Sequence, residues 1–137
     1  MNENRILGSL LGLAVGDALG TAVEFQARDS FPPVTDMVGG GVFNLAPGQW
    51  TDDTSMALCI AASLIETGAY DPRDQLARFV RWYRDGYFSS TGRCFDIGNQ
   101  TRAALEEFEV TGEPYRETVG GMSAGNGSLM RLAPVAM

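Results

Sequence analysis

The stretch "MALCIAASLI", residues 56–65, is apolar on nearly every side of a helix. A surface helix carries one apolar stripe and a polar remainder, so a segment like this is stable only with other elements packed around it. That fixes the kind of fold available: a buried central helix with a jacket. The helix is expected from about Asp52 to Thr67, with Gly68 just beyond it as the left-handed residue that ends a helix. Thr51 stands where an N-cap belongs, its hydroxyl free to accept from a first-turn N–H. Asp52 and Asp53 follow, where the positive end of a helix tolerates carboxylates. On these local grounds "TDDT" is an ordinary helix start or a set of oxygens aimed at a cation, and both readings stand.

The jacket reads as helical too. "YDPRDQLARFVRWYRDG" opens on Asp71 as cap and Pro72 at the first helical position, shows an apolar face at Leu76, Phe79, Val80 and Tyr83, and ends at Gly86. A further helix is expected from about Asn99 to Val110, with Ala104, Leu105 and Phe108 inward and Gly112 after it. "ILGSLLGLAVGDALGTAVEF", residues 6–25, is apolar for most of its length, but a carboxylate at its centre, Asp17, is expensive in a bilayer, so a soluble helix is expected and not a span. Its glycines, Gly8, Gly12, Gly16 and Gly20, share one side of that helix and would admit a close neighbour. Residues 27–50 and 87–98 are loops, and "GGMSAGNGSLMRLAPVAM" is a glycine-rich loop opening a helix. Strand alternation is missing, so the class is all-α. The chain stops at Met137 inside an apolar run, which reads as the first part of a longer protein.

Composition narrows the chemistry. The 137 residues make one domain's worth of material, with a net charge of −7 and only ten Lys and Arg, which argues against a nucleic-acid partner. Histidine is absent, so imidazole triads and imidazole zinc sites are excluded. Two cysteines, Cys59 and Cys94, give no CxxC pair and no disulfide framework, so a reducing cytoplasm is the expected location. Oxygen donors remain, and these suit hard cations such as magnesium or manganese.

Four loop-to-helix junctions carry the unusual residues: "GDALGTAVE" (16–24), "TDDT" (51–54), "FDIGNQT" (95–101) and "GNGSLMR" (125–131). Each has a plain structural reading. Asp17 can be a buried helix acid, Asp96 an Asx-turn cap, and "GNGS" a turn. "GNGSLMR" also suits an oxyanion, because small residues let backbone N–H groups approach and a helix end would add its field. Arg131 is open between that role and pairing with an acid.

Taken together and in order, "GDALG…E", "GQWTDDTSM", "FDIGNQTR" and "GNGSLMR" resemble the N-terminal half of the ADP-ribosylglycohydrolase family, near its dinitrogenase-reductase-activating branch, from about Arg5 to Met137. The resemblance implies that residues 1–137 are the N-terminal part of a single all-helical orthogonal bundle of that type. It implies two Mg2+ or Mn2+ ions in a cleft, and hydrolysis of the bond between C1″ of ADP-ribose and an acceptor such as protein arginine or serine. Carried over position by position, Thr51, Asp52 and Asp53 are the first metal-ligand set. Glu24 faces metals and ribose, and Asp96 and Asn99 lie around the distal ribose and leaving group. Gly125, Asn126, Gly127, Ser128 and Met130 belong to the pyrophosphate loop, while Asp17 keeps a structural role. Glu24 and Asp96 are the general acid–base candidates, in an undecided order. The "FDIGN" form favours ADP-ribosyl-arginine.

One departure is large. The family's second ligand set, a late "D-x-D-[ST]" pattern, has no counterpart here, so either a second polypeptide supplies it or it belongs to a C-terminal half missing from this sequence, and the chain by itself is expected to be inactive. A non-catalytic ADP-ribose binder of the same fold, inhibitor-like or crystallin-like, is the alternative.

Overall fold

The computed structural model describes residues 3–115 and 125–136; residues 120–124, the start of the final glycine-rich segment, lie outside the described residues. Four α-helices make up the described chain: α1 (Glu3–Gly20), α2 (Asp52–Thr67), α3 (Pro72–Asp85) and α4 (Asn99–Thr111). Single 3₁₀ turns occupy Thr21–Val23, Asn126–Ser128 and Ala133–Ala136. Among the described residues there is no strand, only an isolated bridge between Gly40 and Leu45.

α2 is the central element that its composition demands. Met56, Cys59 and Ile60 from α2 meet Phe79 and Trp82 of α3 and Leu105 of α4 in one buried cluster. Leu76, Val80 and Tyr83 pack against its edge, as the spacing of α3 predicts. Trp82 is the addition: it lies three residues after Phe79, on the same helical face, and is 1% exposed. Burying that indole and its neighbours supplies the apolar contact that stabilises a helix of 14 residues, which is marginal by itself. Both cysteines are free.

Helix ends follow local rules. Asp71 accepts from the backbone N–H groups of Arg73 and Asp74 at 3.0 and 3.1 Å. Gly68, Gly86 and Gly112 close α2, α3 and α4 in left-handed conformations. α3 and α4 are tied by Tyr83 to Glu106 and by an Arg84–Glu109 ion pair. On the opposite side of α3, buried Arg78 is held between Glu66 and Asp74.

The start of α2 differs from its sequence reading. Thr51 occupies the N-cap position, but its side chain makes no cap bond. The carboxylate of Asp17, projected from α1, takes that place. It accepts from Thr51 N–H at 3.0 Å, Thr54 N–H at 3.1 Å, Thr51 Oγ1 at 2.9 Å and Thr54 Oγ1 at 2.7 Å. A carboxyl acceptor at the positive end of a helix satisfies donors that water no longer reaches.

The long loop 27–50 returns against the end of α1. Gly41, at φ +65°, lies so close that a Cβ there would stand 2.1 Å from the Thr21 carbonyl oxygen. The loop is then anchored to residues 87–98, because Trp50 Nε1 donates to the Phe88 carbonyl and Ser90 Oγ donates to that of Trp50. α1 itself packs on α2 and on Ala133–Ala136, yet nothing lies within 4 Å of a Cβ built at Gly8, Gly12, Gly16 or Gly20. The close neighbour expected for those glycines is not present among the described residues.

Replacing Asp17 with Ala leaves two N–H groups and two hydroxyls at the head of α2 without their acceptor. The expected cost is about 3 kcal/mol, seen as a melting temperature lower by roughly 10 °C. Asp17→Asn, which keeps one acceptor oxygen, should fall between. A thermal melt of Asp17→Ala within about 2 °C of the parent would show that Asp17 is not the clamp.

Candidate active site

Three of the four motifs face one cleft of about 950 Å³, and the fourth, "GDALGTAVE", reaches it through Glu24. Glu24 follows the turn Thr21–Val23. Asp52 and Asp53 are the first residues of α2. Asp96 comes from the irregular segment 87–98, in a left-handed conformation (φ +58°) that Asp adopts more readily than most residues. Asn99 begins α4. Gly125, Asn126, Gly127, Ser128 and Met130 line the same cleft. Thr51 lines a smaller cleft of about 220 Å³ beside it, together with Glu24, Asp53, Asp17, Gly16 and Gly20.

The carboxyl groups crowd one another. Glu24 and Asp96 lie in hydrogen-bonding reach, as do Asp52 and Asp96. Burial first, and the Asp96 charge next, push Glu24 up to about 7. Burial, then Asp96 and Asp53, push Asp52 up to about 8. Asp53 and Asp96 are raised as well, again mainly by burial. Such shifts come from removing charged groups from water and placing like charges together.

The wall carrying "GNGS" is seated on α4. Gly125 N–H donates to Gln100 Oε1 at 2.9 Å. A Cβ at Gly127 would stand 2.9 Å from Thr101 Oγ1, so the loop approaches the helix at a distance a larger residue would disturb. This contact joins the third motif to the fourth. The expectation that "GNGS" opens a helix is corrected here: Asn126–Ser128 is a single 3₁₀ turn. A lone turn has no macrodipole to offer an anion, so any oxyanion binding there falls to N–H groups and side chains alone.

Arg131 is the one cation among the described residues that line the large cleft. Its guanidinium lies 4.8 Å from the Phe79 ring centroid, and Nη1 donates to Met56 Sδ at 3.7 Å. Burial lowers it from the usual arginine value, and the charge of Asp52 opposes that. No carboxylate lies within ion-pair distance of it among the described groups. Phe25 is a further cleft residue that spacing did not reveal. It is 77% exposed, holds φ +60°, and meets Phe43 edge-on, which meets Phe95 in turn.

As a cation site the cluster fits in kind and falls short in number. Every donor is a carboxylate or hydroxyl oxygen, suited to a hard divalent ion, and a cation would relieve the repulsion between them. Yet among the described residues no three His, Cys, Asp or Glu side chains form a group arranged to hold a metal ion.

Comparison with known proteins gives a consistent result. A family model described as ADP-ribosylglycohydrolase matches residues 1–137. The chain is 53% identical over 134 residues to an ADP-ribosylarginine hydrolase of Pseudomonas putida, covering 98% of this chain and 36% of that protein. It is 38% identical over 142 residues to an ADP-ribosyl-[dinitrogen reductase] glycohydrolase of Rhodospirillum rubrum, covering 98% of this chain and 45% of that protein. A solved structure described as an ADP-ribosylglycohydrolase-related protein complex superimposes with a TM-score of 0.81 at 51% identity, over 98% of this chain and 42% of the other. The chain thus spans less than half the length of these relatives.

The acid cluster sets a pH dependence. Glu24 and Asp52 hold protons in the folded chain up to about 7 and about 8, whereas their ordinary values are 4.5 and 3.8. The folded state therefore binds more protons than the unfolded one across that window, and stability falls as pH rises through it. Glu66, Asp74 and Glu109 act oppositely, since Arg78 and Arg84 hold them below their usual range and acidification below that range removes their contribution. Thermal melts in chelator should show a maximum near the ordinary carboxylate range, about pH 4, and a decline of at least roughly 5 °C by pH 8. A melting temperature that rises from pH 5 to pH 8 would contradict the crowding.

Proposed function

Because the chain belongs to the ADP-ribosylglycohydrolase family, we propose that it forms the acid-bearing part of a hydrolase that releases ADP-ribose from a modified acceptor by cleaving the glycosidic bond at C1″. The observation that carries this reading is the convergence of Glu24, Asp52, Asp53, Asp96 and the Gly125–Ser128 loop on one cleft from four separate motifs. ADP-ribosyl-arginine on protein is the favoured substrate, since a relative 53% identical over 134 residues carries that activity in its name. A small ADP-ribosyl compound is the simpler substrate of the same chemistry. The two unpaired thiols suit a reducing cytoplasm.

The chain's own residues divide the work. Gly125 and Gly127 keep the loop low on α4, so its backbone and the Asn126 and Ser128 side chains can face a pyrophosphate. Asn99 and Met130 bound the space beside it. Glu24 and Asp96 form the proton-handling pair. Held together, two carboxyls share a proton near neutral pH, so one can accept a proton from the attacking water while the other donates to the leaving nitrogen. Cleavage of the C1″–N bond and formation of the C1″–O bond then return the pair to its starting protonation. Thr51, Asp52 and Asp53 are the residues that would hold Mg2+ or Mn2+; the Thr51 hydroxyl donates a hydrogen bond to Asp17, which leaves its oxygen lone pairs free to face an ion. Such ions supply charge stabilisation for a sugar-centred transition state. Their remaining donors would come from further polypeptide, a reading supported by the shortfall in grouped ligands among the described residues.

That same shortfall among the described residues supports a second reading: a chain that binds ADP-ribose without hydrolysing it. Calorimetry with ADP-ribose and magnesium, run beside a release assay on ADP-ribosylated arginine, separates the two. Heat of binding without release selects the binder.

Removing Asp52 and Asp53 together should lower release on the order of a hundredfold or more in any active assembly. The same pair should account for a magnesium-dependent rise in melting temperature that is larger at pH 8 than at pH 5, where protons compete for the carboxylates. Full turnover in the double variant rules out the metal role.

A further inference from the structure

Each acid of the proton-handling pair has a phenylalanine as its chain neighbour: Phe25 follows Glu24, and Phe95 precedes Asp96. Phe43 joins the two. It stands in a tight turn, residues 41–44, closed by paired backbone bonds of 2.7 and 2.9 Å between Gly40 and Leu45. Its ring centroid lies 6.3 Å from that of Phe25 and 5.2 Å from that of Phe95, with the planes crossing at 68° and 62°. Edge-on contacts of this kind are favourable for aromatic pairs. Three segments far apart in sequence thus build one aromatic rim beside Glu24 and Asp96.

Phe25 differs from the other two rings. Phe43 and Phe95 are half-buried, whereas Phe25 is 77% exposed and lines the large cleft. Its backbone holds φ +60°, a region that a bulky side chain enters only at a cost. The turn around it is pinned, since Gln26 N–H donates to the Val23 carbonyl at 3.0 Å and Gln26 Nε2 donates to that of Ala22 at 3.3 Å. A strained backbone that presents a phenyl ring to open space brings no return within the described chain. The return comes when a ligand lies on the ring.

The surroundings say which ligand. Glu24, Asp52, Asp53 and Asp96 face Arg131 alone among the described cations of the cleft, so the space favours added positive charge. A planar cation gains from that field and from the face of a phenyl ring together, and a guanidinium suits both. Connectivity of the substrate selects the same group. In ADP-ribosyl-arginine, C1″ is bonded to a guanidinium nitrogen, so the acceptor lies next to the groups that act at C1″. Adenine is separated from C1″ by both riboses and the pyrophosphate, and so falls further off.

We propose that Phe25, braced by Phe43 and Phe95, is the shelf on which the acceptor guanidinium stacks, and that this contact selects arginine over an uncharged acceptor. The inference rests on the preceding proposal that Glu24 and Asp96 act at C1″. Phe25 moves no proton in this role; it binds and discriminates.

The test needs no hydrolysis. The full chain, with its phenylalanine rings isotopically labelled, is titrated in magnesium with N-acetyl-arginine amide and with its uncharged isostere, N-acetyl-citrulline amide, and the ring resonances are followed by NMR. Saturable shifts of the Phe25 ring are expected with the arginine probe, and binding at least about fivefold weaker with the citrulline probe. Phe25→Leu should weaken the arginine probe by a similar factor, while Phe25→Trp, with its stronger face, should retain or tighten it. Phe43→Leu, which removes the brace, should fall between the parent and Phe25→Leu. Circular dichroism melts separate loss of stacking from loss of fold, and retention by Phe25→Trp keeps the comparison decisive. Equal binding of the two probes, indifference to Phe25→Leu, or no saturable shift overturns the proposal. So do Phe25 shifts produced by AMP and not by the arginine probe, which would assign the ring to adenine. Arginine-probe binding that depends on Phe25, without release of ADP-ribose from arginine, removes the hydrolase reading and leaves the shelf standing. Release whose KM is unmoved by Phe25→Leu keeps the hydrolase and removes the shelf.

Discussion

Four donors at the head of α2 converge on the carboxylate of Asp17. This one interaction does three things. It closes a helix end that has no side-chain cap of its own. It fastens α1, which has little buried surface to hold it, to the central helix. And it sets the direction in which Asp52 and Asp53 leave the first turn. The same charge also raises Glu24 and Asp53, though burial dominates both. A group that builds the site therefore adds to the repulsion inside it.

The apolar cluster lies directly behind the acids, and by keeping water from them it strengthens that repulsion. Met56 is one turn along α2 from Asp52, and it meets Phe79 and Trp82 across the helix pair. Arg131 covers the boundary between the two regions, stacked over Phe79 on its apolar side and attracted by Asp52 on the other. A desolvated guanidinium without a close carboxylate is costly on its own, and its stacking contact and the nearby negative field offset part of that cost. Positive charge is thus scarce in the cleft, and protons or cations must neutralise what Arg131 does not.

Much of the helical framework could be read from local sequence, and the reason is short range. Asp71–Pro72, Gly68, Gly86 and Gly112 act within a few residues of the ends they define, so their effect does not depend on the rest of the fold. The apolar run of α2 forces burial wherever it is placed. The site residues were legible through four ordered motifs. Their physical relation was not. Asp17 reaches Thr51 across 34 residues. Gly125 meets Gln100 across 25. Thr51 looked like a self-sufficient cap because nothing near it in sequence shows the acceptor that displaces its side chain. "GNGS" looked like a helix entrance because small residues suit both a helix start and a tight turn.

The amino-acid sequence determined the all-helical class, the ends of α2, α3 and α4, the absence of imidazole chemistry and the identity of the oxygen-bearing residues, all properties of single residues or of neighbours a turn apart. Only the tertiary structure decided that Asp17 is the acceptor at α2, that Glu24 and Asp96 meet, and that "GNGS" rests on Thr101. Those facts depend on how far chain-distant atoms stand from each other, and hydrogen bonds and repulsion between charges are governed by distance in space and not by order along the chain.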